Sequence, residues 1–144
     1  MTTNFLGFQF SKKTIFRFLP AFLMMLTIFI FSARPGDAVP MSLLKQIIYK
    51  GGHVIGYAML AMSYWRAFDF KDRKRWIVWL LAILYAVTDE YHQSFVPGRH
   101  STAFDVLVYD NIGALSSLWL ASRFAKQKQP ASESLVVEHD TLKN

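Results

Sequence analysis

Four long apolar segments, separated by short polar stretches, dominate the chain. They extend over about residues 14–33, 44–68, 76–96 and 104–123. A helix needs roughly 17 to 25 residues to cross the hydrocarbon core of a bilayer, and each segment reaches that length. Pro35 and Gly36 follow the first segment and end it, because proline disfavours the helical conformation before it and glycine permits a turn. The pattern predicts four membrane-crossing helices.

Three of the four segments contain ionisable residues within their apolar runs. The second contains Lys50 and His53, the third Asp89 and Glu90, and the fourth Asp105 and Asp110. Without these residues the apolar runs are too short to cross a membrane. The first segment could be a signal peptide, but Phe31 spoils the small-x-small pattern that cleavage after Ala33 would need. We interpret it as a retained anchor.

The composition of the 144 residues supports a membrane protein. Hydrophobic residues make up 53% and charged residues 18%, whereas soluble domains carry about 25% charged residues. The 13 Phe, 6 Tyr and 4 Trp exclude a disordered chain, and the absence of Cys excludes disulfides and cysteine-based zinc sites. The predicted fold class is therefore an all-α integral membrane protein, a bundle of four transmembrane helices.

The positive charge of the chain predicts its orientation in the membrane. The net charge is +6, and the basic residues lie at the ends of the apolar segments rather than in one patch, which argues against nucleic acid as a partner. The N-terminus, the loop after the second segment and the tail carry 12 Lys and Arg, against 4 elsewhere. Both termini are therefore predicted to be cytoplasmic. The predicted organisation is a lead at residues 1–13, a helical domain at 14–123 and a flexible tail at 124–144.

This topology brings the ionisable residues to the outer face of the membrane. Asp89 lies 14 positions after Arg75, about 21 Å along a helix and past the midplane. Lys50 and His53 begin the inward-going second helix, and Asp105 begins the inward-going fourth. Ser32 and Arg34 end the first helix at the same level. The sequence predicts a polar cluster in the outer leaflet.

Helical spacing indicates which of these side chains point into the bundle. Lys50, His53 and Tyr57 lie within about 60° of one face of the second helix. Asp89 shares a face of the third helix with Gln93, while Glu90 lies about 100° away. An ionisable group at membrane depth costs several kcal/mol unless it is paired or hydrated, so such a residue is by default functional. The candidate catalytic residues are Asp89, Glu90 and His53, and the candidate ligand-binding residues are Lys50, Tyr57, Gln93, Arg99 and Asp105.

A structural alternative remains open for the same residues. Lys50 could pair with Asp89 or Glu90, and Arg99 with Asp105, so that ion pairs only hold the helices in register. The cluster nevertheless contains more polar groups than packing requires, because membrane helices usually associate through small residues.

The motif of the third segment resembles the signature of the VanZ-like family of small bacterial membrane proteins. It reads TDEYHQSFVPGR at residues 88–99 and is followed by Ser101 and by DVL at residues 105–107; KxxHxxxY at residues 50–57 and Phe31-Ser32 resemble earlier motifs of the family. The resemblance implies a multi-pass protein of the bacterial cytoplasmic membrane. The family is named after an accessory determinant of resistance to teicoplanin, so a role in glycopeptide susceptibility is implied as well.

The fourth segment departs from this family pattern. The resemblance implies a second polar residue four positions after Asp105 and a glycine three further on, whereas Asp110 and Gly113 come at five and eight. A regular helix would place Asp110 about 140° from Asp105. Either a bulge restores the phase or Asp110 has lost its role, and Asp110 is left out of the predicted site.

Two classes of function fit these residues. One is an enzyme or carrier that acts on a lipid-linked envelope precursor, with a carboxylate as base and with Lys50 and Arg99 binding an anionic group. The other is an accessory protein that binds a headgroup without chemistry. In a metal variant of the first class, Asp, Glu and His would hold a divalent ion. No HExxH or comparable ligand spacing is present, however, and two basic side chains would repel a cation, so binding without a metal or another cofactor is favoured.

Overall fold

The computed structural model describes residues 3–5, 8–10, 12–36, 42–69, 74–99 and 102–127. Two short antiparallel strands, β1 (Thr3–Phe5) and β2 (Phe8–Phe10), precede three helices: α1 (Lys12–Ser32), α2 (Leu43–Ala67) and α3 (Arg75–Gln93). A π-helical segment (Asp105–Asp110) then runs directly into α4 (Asn111–Gln127). The four predicted helices are confirmed. The small β-hairpin within the predicted lead was not expected.

The helix ends differ from the prediction in two places. The third helix ends at Gln93, and residues 94–98 form turns before Arg99. The fourth continues to Gln127, into the region predicted as a tail. The remainder of that predicted tail, residues 128–144, lies outside the described residues. So do His100 and Ser101, the latter part of the family motif.

The bundle packs around α2, which contacts the other three helices. Its buried core consists mainly of aliphatic, small and aromatic side chains, among them Leu60, Ala61, Trp65, Val78, Ala82 and Leu118. α2 and α4 approach closely at Gly113, where a Cβ atom would collide with the backbone carbonyl of Val54. Small residues at such crossings let helices associate in the absence of a strong hydrophobic driving force.

Successive helices run antiparallel, and contacts at each end of the bundle show this. At one end Gly36 donates its backbone N–H to the carbonyl of Pro97 (3.0 Å), and a Cβ atom on Gly36 would collide with the Gly98 carbonyl. Gly98 has φ +73°, a conformation that favours glycine. At the other end the exposed side chains of Arg17 and Asp69 form an ion pair.

The outer surface of the bundle is apolar on all four helices. Large exposed side chains include Phe22, Ile30, Ile48, Ile55, Leu84, Val87, Leu115 and Leu120, whereas Asp89, Gln93, Asp105 and Asp110 are buried. Within the described residues, α1 alone combines the length and mean hydropathy (2.1) of a membrane-spanning helix. Because water-soluble monomers rarely expose such large apolar surfaces, the outer faces of the helices must be shielded from water by other apolar groups.

Candidate functional site

Asp89 joins three helices at the end of the bundle where α1 and α3 terminate. Its side chain is buried, and its Oδ2 accepts hydrogen bonds from the Ser32 hydroxyl (2.7 Å) and Gln93 Nε2 (2.9 Å), with the Tyr57 hydroxyl at 3.4 Å. Its Oδ1 is buried and receives no hydrogen bond from the described residues. One oxygen of the carboxylate is thus saturated while the other is unpartnered.

Gln93 extends this network to the start of α2. It lies one helical turn beyond Asp89 and is also buried. Its Oε1 accepts a hydrogen bond from the Tyr49 hydroxyl (2.9 Å), and its Nε2 also donates to the Ser32 hydroxyl (3.3 Å). Tyr49 was not among the predicted site residues, although it precedes His53 by four positions, a spacing that puts both on one face of α2.

The π-helical segment brings Asp110 into the site. Asp110 Oδ1 lies 2.9 Å from His53 Nδ1, and its side chain is 1% exposed. A π-turn contains one residue more than an α-turn, so a five-residue step there keeps Asp105 and Asp110 on the buried side. A bulge therefore restores the phase, and Asp110, which the prediction left out of the site, lies against His53.

Aromatic rings hold the His53 imidazole in place. Its ring lies 4.8 Å from that of Tyr49 and 6.3 Å from that of Tyr57, the latter in a stacked arrangement. Tyr57 in turn packs at 6.4 Å against Tyr85, whose hydroxyl donates to the backbone carbonyl of Met25 (2.6 Å). The orientation of His53 is therefore fixed by an α2 stack as well as by Asp110.

The structural alternative, in which Lys50 and Arg99 pair with carboxylates, is not supported by the described contacts. Among the described residues, no ion pair joins Lys50 to Asp89 or Glu90, or Arg99 to Asp105. The Lys50 ammonium instead lies 4.8 Å above the ring of Tyr109.

Arg99 binds the end of α1 instead of a carboxylate. Its Nη2 donates to the Phe31 carbonyl (2.6 Å) and its Nε to the Arg34 carbonyl (3.1 Å), while its guanidinium lies 5.0 Å from the Tyr49 ring. The last carbonyls of a helix have no partner within the helix and attract cations, which accounts for this position.

Comparison with known proteins identifies the family. A family model described as VanZ/LLP1 matches residues 3–125. The chain belongs to the VanZ/LLP1 family. The resemblance expected from the motifs is thus confirmed. Comparison with curated proteins and with solved structures gives no match.

The site of this VanZ/LLP1 protein contains further acceptors that lack partners. Glu90 Oε1 is buried and, like Asp89 Oδ1, receives no hydrogen bond from the described residues. Asp105 is also buried at this end, with 7% of its surface exposed. Within the described ranges, no three His, Cys, Asp or Glu residues are arranged to hold a metal ion.

The structure separates the predicted site residues into four groups. Asp89, Gln93 and Tyr57 form the central network, and His53 forms a pair with Asp110. Glu90, Asp105 and Lys50 lie at the same end without joining either network by a hydrogen bond among the described residues. Arg99 joins the segment after α3 to the end of α1 and contacts the Tyr49 ring.

Proposed function

We propose that this VanZ/LLP1 protein crosses the bacterial cytoplasmic membrane four times, with both termini in the cytoplasm. The apolar outer faces of all four helices support this proposal, since lipid would cover them. The 12 to 4 division of basic residues supports the orientation. The charged residues of α2, α3 and α4 make these helices poor membrane spans by composition alone. Most of the carboxylates among them, however, lie inside the bundle, away from lipid.

We propose further that the cluster at the outer leaflet binds the headgroup of an envelope lipid or of a lipid-linked envelope precursor. The observation that carries this proposal is Asp89, a buried carboxylate with one oxygen saturated and the other unpartnered. A buried unsatisfied polar group costs about 1 to 3 kcal/mol, more when charged. A ligand that donates to it would recover that cost.

The same site favours catalysis as a second role. Asp110 holds His53 through Nδ1, an arrangement that leaves Nε2 as the proton acceptor. Asp89 and Glu90 are the alternative bases. A purely accessory role, in which binding of the precursor alters susceptibility to teicoplanin, requires only the acceptors and the Lys50 ammonium. In both cases the phosphate of the ligand would face Lys50.

Site-specific photocrosslinking in cells tests the binding proposal. Tyr49→benzoylphenylalanine places the reactive group within the site, and Tyr91→benzoylphenylalanine places it on α3 with 70% exposure. We expect mass spectrometry to find one class of polar lipid enriched on position 49, and the bulk membrane lipids on position 91. Identical lipid spectra at the two positions would reject a specific headgroup site.

A further inference from the structure

We infer that the headgroup bound here presents a primary ammonium group beside its phosphate. This inference rests on the headgroup site proposed above and names the chemistry of its ligand. It reverses the expectation of a purely anionic ligand, because the Arg99 guanidinium already donates to the backbone carbonyls of Phe31 and Arg34.

Two of the three buried side-chain atoms without a described hydrogen-bond partner at this end are carboxylate oxygens, and the third is His92 Nε2. Asp89 Oδ1 and Glu90 Oε1 are both buried without a donor among the described residues, and Asp89 is 3% exposed. Every described hydrogen bond to the Asp89 carboxylate is made to its other oxygen, Oδ2. Ionised carboxylates only accept hydrogen bonds, so a matching ligand must supply N–H or O–H groups.

The lack of ion pairs at two buried carboxylates favours an ammonium over a hydroxyl group. The described basic side chains at this end, those of Arg34, Lys45, Lys50 and Arg99, equal the four carboxylates of Asp89, Glu90, Asp105 and Asp110 in number. None of them forms an ion pair with Asp89 or Glu90, and the described ion pair of His53 is with Asp110. The carboxylates of Asp89 and Glu90 therefore favour a cationic ligand. A primary ammonium has three donors and bonds carboxylates strongly.

Lys50 supplies the complementary contact for the phosphate. Its side chain is only half-buried, and its ammonium lies over the ring of Tyr109, near the start of α2. It forms no ion pair with a described carboxylate. A zwitterionic headgroup would therefore bind with its ammonium towards Asp89 and Glu90 and its phosphate at Lys50.

Thermal stability of the purified full-length protein in detergent tests this inference, because a ligand of the folded state raises the apparent stability. The probes are phosphatidylethanolamine, phosphatidylcholine, phosphatidic acid and undecaprenyl phosphate, with soluble phosphoethanolamine as a lipid-free source of the same headgroup. Phosphatidylcholine has the same charge as phosphatidylethanolamine but lacks N–H donors. We expect phosphatidylethanolamine to raise the melting temperature most. A comparable rise with phosphoethanolamine would show that the headgroup alone suffices.

Variants at both ends of the bundle serve as controls. Asp89→Asn retains an acceptor for Ser32 and Gln93, and Glu90→Gln keeps the side-chain shape; both should lose the response to phosphatidylethanolamine. Asp69→Asn, in the exposed pair with Arg17, should retain it. An equal rise with phosphatidylcholine, or an unchanged response in both site variants, would overturn the inference.

Two other outcomes separate the inference from the proposed function. Phosphatidic acid or undecaprenyl phosphate could raise the melting temperature more than phosphatidylethanolamine does. That result would overturn the inference of an ammonium group and leave the proposed headgroup site intact. No response to any probe would count against both.

Discussion

The two ends of the bundle place their charges in opposite environments. At the end formed by Arg17 and Asp69, the ion pair is exposed, with 48% and 42% of the two side chains accessible. At the end formed by the Asp89 network, the carboxylates of Asp89 and Asp110 are 3% and 1% exposed. Exposed pairs contribute about 0 to 1 kcal/mol and are easily lost. Buried carboxylates are costly, and this cost is the physical basis for our proposal that this end carries the function.

The core between the two ends is built without carboxylates. Leu60, Ala61, Val78 and Ala82 are fully buried there and pack without ionisable groups. Gly113 allows α2 and α4 to approach closely. The bundle therefore has a packed apolar region on which the polar end is built, and the two can be perturbed separately.

The first prediction assigns each end to a side of the membrane and has an all-or-none outcome. This chain contains no cysteine, so single substitutions at Ser42, Lys71, Ser101 and Ser132 each create a unique thiol. In intact cells we expect an impermeant thiol reagent to label only positions 42 and 101, because the positive-inside rule places the other two in the cytoplasm. Labelling at position 71 would invert or disprove the four-span topology.

The second prediction concerns the π-helical segment of the polar end. Deletion of Leu107 removes the extra residue of the π-turn, so Asp110 should stay beside His53 and Gly113 against Val54. We expect nearly wild-type stability from the melting temperature of the purified protein.

Deletion of Ile112 is the matched control, since both residues are exposed and apolar. It lies between Asp110 and Gly113, so it should move Asp110 away from His53 while Gly113 keeps its place. Loss of one partner from a buried pair costs about 3 to 5 kcal/mol. Equal loss of stability in the two deletions would show that the π-turn does not serve to position Asp110.

The third prediction compares one carboxylate from each end. Asp89→Ala leaves the buried donors of Ser32 and Gln93 without their acceptor, at about 1 to 3 kcal/mol for each. Asp69→Ala removes an exposed pair and should cost no more than about 1 kcal/mol. Unfolding of the two variants in detergent measures the difference. If the two losses are alike, the polar end is not the more tightly constrained one.

The sequence predicted the helices, and the helix faces on which the polar residues lie, better than it predicted the contacts between side chains. The lengths of the apolar runs predicted the four helices, and the spacing of Asp89, Gln93, His53 and Tyr57 predicted the faces on which they lie. Antiparallel topology then brought them to one level. These features depend on helical geometry, which local sequence determines.

The contacts that the sequence failed to predict depend on neighbours that are distant along the chain. Charge alone suggested that Arg99 pairs with Asp105, but the free carbonyls of α1 lie closer once Gly36 and Pro97 bring the two loops together. The five-residue step from Asp105 to Asp110 indicated a departure from regular α-helical periodicity. Spacing could not decide between a rotated side chain and a π-turn, because that choice depends on the contact with His53.

The last prediction has the smallest expected effect and tests how Arg99 acts. Its guanidinium donates through two nitrogens to the carbonyls of Phe31 and Arg34. The single ammonium of Arg99→Lys keeps the charge but lacks the planar fork that spans both acceptors. Losing one such hydrogen bond should lower stability by about 1 kcal/mol. Arg17→Lys, at the exposed end, should change the stability by less than about 0.5 kcal/mol.

The melting temperatures of both variants, measured with and without phosphatidylethanolamine, distinguish a structural contact between loops from a contact with the ligand. Since Arg99 is bound to backbone carbonyls, its replacement should lower both melting temperatures equally and leave the lipid-induced rise intact. A normal melting temperature with a lost lipid response would instead place Arg99 in the ligand site.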